Sequence, residues 1–278
     1  MYPFSLLPEG WPEVHLYGVM IAIGILAAFV FLMYAGKKMS VKDKFVDFVF
    51  FTGIASIAVG FFSAAVFQAF YDYLEHPENG FSLSGRITFI GGLIGGVVCF
   101  LAVYFLLRKR AHGTLSQVVS IAPCSILVAH GFGRLGCLFA GCCYGAETDS
   151  IFGVEFLVYR SGNYVPEGIT RHPTQLYEAL FLFAMFALCT FLLLKFKFRH
   201  NMSVYLVSYG IFRFLIEYVR DDARGTLAEG ISPSQFWAIF MVVIGVALYF
   251  WLEFFWSKYP SALAPADVPE KAKKTDAE

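Results

Sequence analysis

Charge is scarce in this sequence. Only 15% of its 278 residues are Asp, Glu, Lys or Arg, and 21 basic residues cancel 21 acidic ones. A disordered chain needs few apolar residues and much net charge, and here 58% of residues are hydrophobic and the net charge is zero. The same balance argues against a nucleic-acid partner, although it leaves open where the charges sit. Gly and Pro, at 25 and 11, are too few for a collagen-like or low-complexity chain. The first apolar stretch follows Pro8, Glu9, Pro12, Glu13 and His15. It lacks the basic flank and small-residue cleavage site of a removable signal peptide, so none is expected. No repeat of fixed period and no separate soluble domain is visible in the sequence.

Apolar length is what the chain has. A mean hydropathy of +0.64 exceeds what a soluble domain carries. A spanning helix needs about 20 mostly apolar residues. Seven segments qualify, roughly 16–36, 46–70, 87–107, 115–140, 174–194, 202–220 and 235–257. The expected fold is therefore an all-α polytopic membrane protein with seven transmembrane helices.

The loops set an orientation. Lys37, Lys38, Lys42 and Lys44, then Arg108, Lys109 and Arg110, then Lys195, Lys197 and Arg199 occupy alternate loops, and Lys258, Lys271, Lys273 and Lys274 follow the last span. The positive-inside bias makes that side cytoplasmic, with the N-terminus outside and the C-terminus inside. All eleven lysines then lie inside, while the outer half holds only arginines: Arg86, Arg134, Arg160, Arg171, Arg213, Arg220 and Arg224. Seven outer arginines face fourteen outer acids, so the zero net charge is a cancellation between two sides. Residues 1–258 read as one seven-helix domain. The segment 141–173, with alternation such as IFGVEFLVY, reads as a small strand-bearing extracytoplasmic cap. The Ala-, Pro- and charge-rich tail 259–278 reads as disordered.

Ionisable groups inside a span are costly unless paired or in a wet cavity, and they are functional by default. Arg134 lies late in the fourth span, in HGFGRLG. Gly131, Gly133, Gly136, Gly141 and Gly145 around it are expected to let backbone approach backbone or a ligand closely and to break the helix where it lines a cavity. The sixth span carries Arg213, Glu217 and Arg220, spaced i, i+4 and i, i+7, which places all three on one helical face. Glu217 is positioned to orient two guanidinium groups, and the stripe is net positive. Arginine forks bind phosphate oxygens and keep their charge when desolvated. Arg134, Arg213 and Arg220 together indicate an anion site within the membrane, and the anion that resides there is a phospholipid headgroup. An ion-pair ladder that only locks helix packing is the competing account.

Six cysteines are present. Cys99, Cys124 and Cys189 lie in apolar spans, where cysteine acts as a small packing residue. Cys137, Cys142 and Cys143 sit together in GRLGCLFAGCCYG. Their C-x4-C-C spacing matches zinc motifs poorly. A disulfide, a reactive thiol and packing in a Gly-rich turn all fit that spacing. Gly91, Gly92, Gly95 and Gly96 form overlapping small-xxx-small pairs suited to close helix contact. The fifth span opens on RHPTQLYEA, with Arg171, His172, Gln175, Tyr177 and Glu178 near the interface.

These segments carry a resemblance. HLYGVMIAIG (15–24), FIGGLIGG (89–96), GRLGCLFAGCCYG (133–145), RHPTQLYEA (171–179), YGIFRFLIEYVRDD (209–222) and SPSQFWAI (232–239) resemble, in order, elements of the prolipoprotein diacylglyceryl transferase family. The resemblance implies transfer of diacylglyceryl from phosphatidylglycerol to the lipobox cysteine of prolipoproteins at the outer leaflet of a bacterial cytoplasmic membrane, with no cofactor and no metal. It implies Arg134, Arg213, His172 and Tyr17 as catalytic residues. It assigns lipid phosphate binding to Arg134, Arg213, Glu217, Arg220, Gly136, Gly145, Gly91 and Gly92, and leaves Cys137, Cys142 and Cys143 as a thiol site. Departures are specific: Ile90 stands where the family carries its usual His, Cys137 and Ala140 replace two Asn, and Cys142 replaces a Glu. Competing readings are a paralogous phospholipid-dependent transferase with another acceptor and a non-catalytic phospholipid-binding or transport protein.

Overall fold

A computed structural model describes residues 4–6, 13–83, 87–160, 163–220 and 231–258. The tail 259–278 lies outside the described residues, as do Arg86 and Arg224. The helices are α1 (Leu16–Lys38), α2 (Asp43–Glu75), α3 (Phe89–Leu106), the single turn α4 (Arg108–Ala111), α5 (Leu115–Ala140), α6 (Thr174–Phe196), α7 (Asn201–Ile216) and α8 (Pro233–Lys258). Seven of them are long and apolar enough to cross a membrane, and they fall on the seven segments expected from the sequence. The chain is an all-α polytopic membrane protein. Its helices have to close their own backbone hydrogen bonds, because hydrocarbon offers no partner.

The chain divides into two compact units. The first holds α1 and α5–α8. There α5 packs against α1, α6 and α7, and α7 packs against α8. The glycines of α5 do not break it: the helix runs unbroken from Leu115 to Ala140, through Pro123 and three glycines. They serve contact instead. A Cβ on Gly131 would lie 2.8 Å from Phe183 of α6, and one on Gly136 would lie 3.2 Å from Tyr17 of α1. One glycine costs a helix about 1 kcal/mol, too little to open the backbone ladder in lipid. Far from that end of α5, the buried Asn201 amide donates to the carbonyls of Ser120 (3.1 Å) and Cys189 (3.4 Å), tying α5, α6 and α7 together.

The second unit is built on α2 and α3. A Cβ on Gly92 would lie 3.3 Å from Ala64 Cβ and from the Gly60 carbonyl, and one on Gly96 would lie 3.3 Å from the Ser56 carbonyl. The small residues of GGLIGG therefore sit in the α2–α3 contact.

Between α5 and α6 lies an antiparallel hairpin, β1 (Val154–Arg160) and β2 (Asn163–Arg171), with a bulge between Glu155 and Leu157. Phe156, at the bulge, is fully buried and packs on Tyr144 with ring centroids 5.0 Å apart. Arg171 covers the other side of Tyr144 at 4.9 Å and is gripped by both carboxylate oxygens of Glu167.

Candidate active site

One end of the first unit gathers the charged residues of three spans. Arg134 comes from the last turns of α5, Glu178 from the first turns of α6, and Arg213 from the last turn of α7. Arg134 Nε lies 2.9 Å from Glu178 Oε1. Glu178 is fully buried. The same oxygen accepts a 2.6 Å hydrogen bond from Tyr209 Oη and lies 3.8 Å from His130 Nε2. His130 meets the Tyr209 ring edge-on at 4.9 Å.

The second ion cluster follows the i, i+4 spacing. Arg213 Nη1 lies 2.8 Å from Glu217 Oε2, and Arg220 Nε approaches the same oxygen at 3.9 Å. Glu217 Oε1 accepts from Ser232 Oγ at 2.7 Å, and Arg213 Nη2 donates to Ser234 Oγ at 2.8 Å. Ser232 also caps α8. Its Oγ accepts from the Gln235 amide, while Gln235 Oε1 accepts from the Ser232 amide at 3.1 Å, a reciprocal box at the helix start. The start of α8 thus fixes the end of α7. The two ion clusters feel each other, since Arg213 acts electrostatically on both Glu178 and His130. Three guanidinium groups face two carboxylates, which leaves positive charge in a low-dielectric place.

The backbone next to this cluster is locked by Gly145. Its amide donates to the His172 carbonyl at 2.8 Å, and the following Ala146 amide donates to the Val219 carbonyl at the same distance. A Cβ on Gly145 would lie 2.5 Å from that carbonyl and 2.9 Å from His172 Cβ, so only glycine lets three strands of backbone meet. His172 Nδ1 lies 3.4 Å from Tyr177 Oη.

The cysteine trio lies beside it. The sulfurs of Cys137, Cys142 and Cys143 are all within 4.8 Å of one another, and none of the three is in a disulfide. The helix stops at Gly141 (φ +69°), and Cys143 takes a left-handed φ of +66°. Thr174 Oγ1 donates to the Cys143 carbonyl (2.8 Å), and Gln175 Nε2 donates to the Cys142 carbonyl (2.6 Å). Hydrogen bonds from the other two thiols, aided by Arg220, hold the Cys143 thiol below the ordinary thiol range, against the opposing effect of burial. Tyr17 interacts electrostatically with all three cysteines and with Arg134.

Arg134, Arg213, Glu217, Arg220, Tyr17, Gly136, Gly145, His172 and the three cysteines, all singled out from the sequence, thus fall at one end of this unit. Gly91 and Gly92 belong to the other unit, where their bare backbone meets Phe67 and Ala64 of α2. Sequence reasoning placed Glu178 near the interface without giving it a role. It passed over Tyr209, Ser232 and Ser234, although all three lie inside the quoted segments. Their importance is a cross-helix matter that one-helix periodicity does not show.

Comparison with known proteins identifies the family. The sequence model described as prolipoprotein diacylglyceryl transferase matches residues 6–251. The chain is 33% identical over 245 residues to the phosphatidylglycerol–prolipoprotein diacylglyceryl transferase of Clostridium tetani, covering 85% of this chain and 92% of that one. It is 34% identical over 251 residues to the protein of that name from Bordetella bronchiseptica, covering 85% and 90%. The Xylella fastidiosa protein of that name aligns at 32% identity over 97% of this chain and 96% of its own. With the matched segment running from before α1 into α8 and taking in every charged residue described above, the chain belongs to the prolipoprotein diacylglyceryl transferase family.

Proposed function

We propose that this protein transfers the diacylglyceryl group of phosphatidylglycerol to the lipobox cysteine of prolipoproteins. The observation that carries this reading is the pairing of three guanidinium groups, two on spans and Arg220 just past one, with two carboxylates; the surplus cationic charge suits a lipid phosphate. In the reaction, the acceptor sulfur bonds to the glyceryl carbon that carries the phosphate. The bond between that carbon and the phosphate oxygen breaks, and the oxygen keeps the electron pair. Glycerol 1-phosphate leaves and a thioether remains.

Arg134 and Arg213 stabilise charge developing on the leaving phosphate. Glu178 and Glu217 orient those arginines, so the site is organised before the lipid arrives. Arg220 and the backbone around Gly136 and Gly145 complete the anion frame. The thiol proton leaves to His172, Tyr17, His130 or water, and the sulfur attacks as thiolate.

The distribution of lysines favours a bacterial cytoplasmic membrane with the N-terminus outside and the C-terminus inside. The arginine cluster then faces the outer leaflet, and the hairpin between α5 and α6 lies on that side as a cap. Incubating the protein with glycerol-labelled phosphatidylglycerol and a lipobox peptide should release labelled glycerol phosphate and a diacylated peptide. Lipid binding without release would refute the reading.

A further inference from the structure

Of the six cysteines, Cys124 and Cys189 are fully buried among apolar side chains, as packing residues are. Cys142 is exposed and lies outside any helix, so packing does not account for it. Yet its sulfur and those of Cys137 and Cys143 converge within 4.8 Å. In a tetrahedral zinc site with Zn–S bonds of about 2.3 Å, ligand sulfurs stand about 3.8 Å apart. The three sulfurs are no more than 4.8 Å apart, so no pair exceeds that separation by more than about one ångström.

The convergence is built in. A non-glycine residue in the left-handed region costs on the order of 1 kcal/mol and persists where its surroundings over-determine it. Cys143 is such a residue, and the buried Thr174 and Gln175 hold the carbonyls of Cys143 and Cys142 in place. Regular backbone would have left the C-x4-C-C spacing unable to close on one point. Among the described residues the group ends at three ligands, with no His or carboxylate joining it. Three protein ligands with a fourth position open is the pattern of a reactive zinc site, whereas structural sites are closed by four. The charge balance also suits: zinc with three thiolates is anionic, and the cationic Arg220 is bridged to Gly145, two residues after Cys143.

We propose that Cys137, Cys142 and Cys143 bind Zn2+ and that its open position takes the thiol of the acceptor cysteine. This deepens the transferase reading and rests on it for the identity of the fourth ligand. The acceptor S–H gives its proton to water as the Zn–S bond forms, and the zinc-held thiolate then attacks the glyceryl carbon; nothing is oxidised or reduced. A zinc-coordinated thiol is deprotonated outright, which presents the nucleophile beside the arginines that hold the leaving phosphate.

The test uses the full chain purified in detergent without chelator. Metal analysis should find stoichiometric zinc, lost in the triple Cys→Ser variant and in Cys142→Ser, whose exposed side chain leaves the fold intact. Cobalt exchanged into the wild type should give a near-ultraviolet thiolate-to-cobalt band. That band should strengthen when a lipobox peptide is added, and stay unchanged with the same peptide carrying Ser for Cys. Absence of zinc and of the cobalt band, or copper(I) in preference to zinc, overturns the site. A cobalt band indifferent to the peptide thiol, or full transfer activity in metal-free Cys142→Ser, overturns its role. Failure of the transferase reading looks different: zinc-loaded wild type would then release no glycerol phosphate.

Discussion

Arg134 Nε and Glu178 Oε1 lie 2.9 Å apart, one from α5 and one from α6, and Glu178 has no solvent contact. Removing one partner of such a pair strands the other as a buried charge. Arg134→Ala should therefore abolish transfer and also destabilise the protein by about 3–5 kcal/mol. Replacing both, as Arg134→Met with Glu178→Gln, should restore much of the thermal stability and none of the activity. Thermal unfolding in detergent alongside product release separates the two effects. Activity in the double variant would contradict a chemical role for Arg134.

Arg213 sits differently, because its carboxylate partner keeps other support. Glu217 retains the Ser232 hydroxyl at 2.7 Å after Arg213 is lost. Arg213→Ala should thus stay inserted and nearly as stable, while the turnover rate falls about 10²- to 10³-fold, the usual cost of one donor to a developing oxyanion. Ser234→Ala removes only the hydroxyl that positions Nη2 and should cost about tenfold or less. Single-turnover rates with saturating lipid measure both.

Two glycines of the same stretch should behave oppositely. A Cβ on Gly145 would stand 2.5 Å from the Val219 carbonyl, whereas one on Gly133 meets nothing within 4 Å. Gly145→Ala should give a protein that folds poorly or is inactive. Gly133→Ala should keep the fold and gain up to about 1 kcal/mol from better helix propensity. Expression level and unfolding temperature of the pair decide this.

The proposed topology makes its own forecast. Alkaline phosphatase fused after Gly80 should be active in growing cells, because the loop after α2 would face outward. The same enzyme fused after Gly113 should be inactive, since the basic turn after α3 would face the cytoplasm. The reverse pattern would invert the protein and move the arginine cluster to the inner leaflet.

Much of this was legible in the sequence, for identifiable reasons. Spans show themselves because lipid demands long apolar runs, and all seven lie where those runs are. Arg213 and Glu217 could be paired on paper because both sit one helical turn apart on one element. Arg134 and Glu178 could not, because they sit on different helices with the loop and hairpin of 141–173 between them, and no periodicity crosses that gap. Ser232 and Ser234 were hidden for the same reason. Gly131, Gly133 and Gly136 misled, since an unbroken ladder in lipid outweighs their weak propensity, whereas the helix does stop at Gly141. The cysteine trio could be singled out as a group, but its closure on one point could not be read. Its closure depends on the left-handed backbone at Cys143, a local exception that residue spacing does not encode.

The clasp at Gly145 and His172 also bears on how this protein can vary. The Gly145 amide donates to His172, and the His172 amide returns a 3.0 Å bond to Ala146, so both feet of the hairpin are stapled to each other. Between the feet the chain leaves and returns to one point, with Phe156 anchored on Tyr144. Loop-closure cost grows only with the logarithm of length, so added residues at its tip are inexpensive. The hairpin is therefore the place where a tag, a reporter or a changed acceptor preference can be grafted while the arginine frame beneath stays in register.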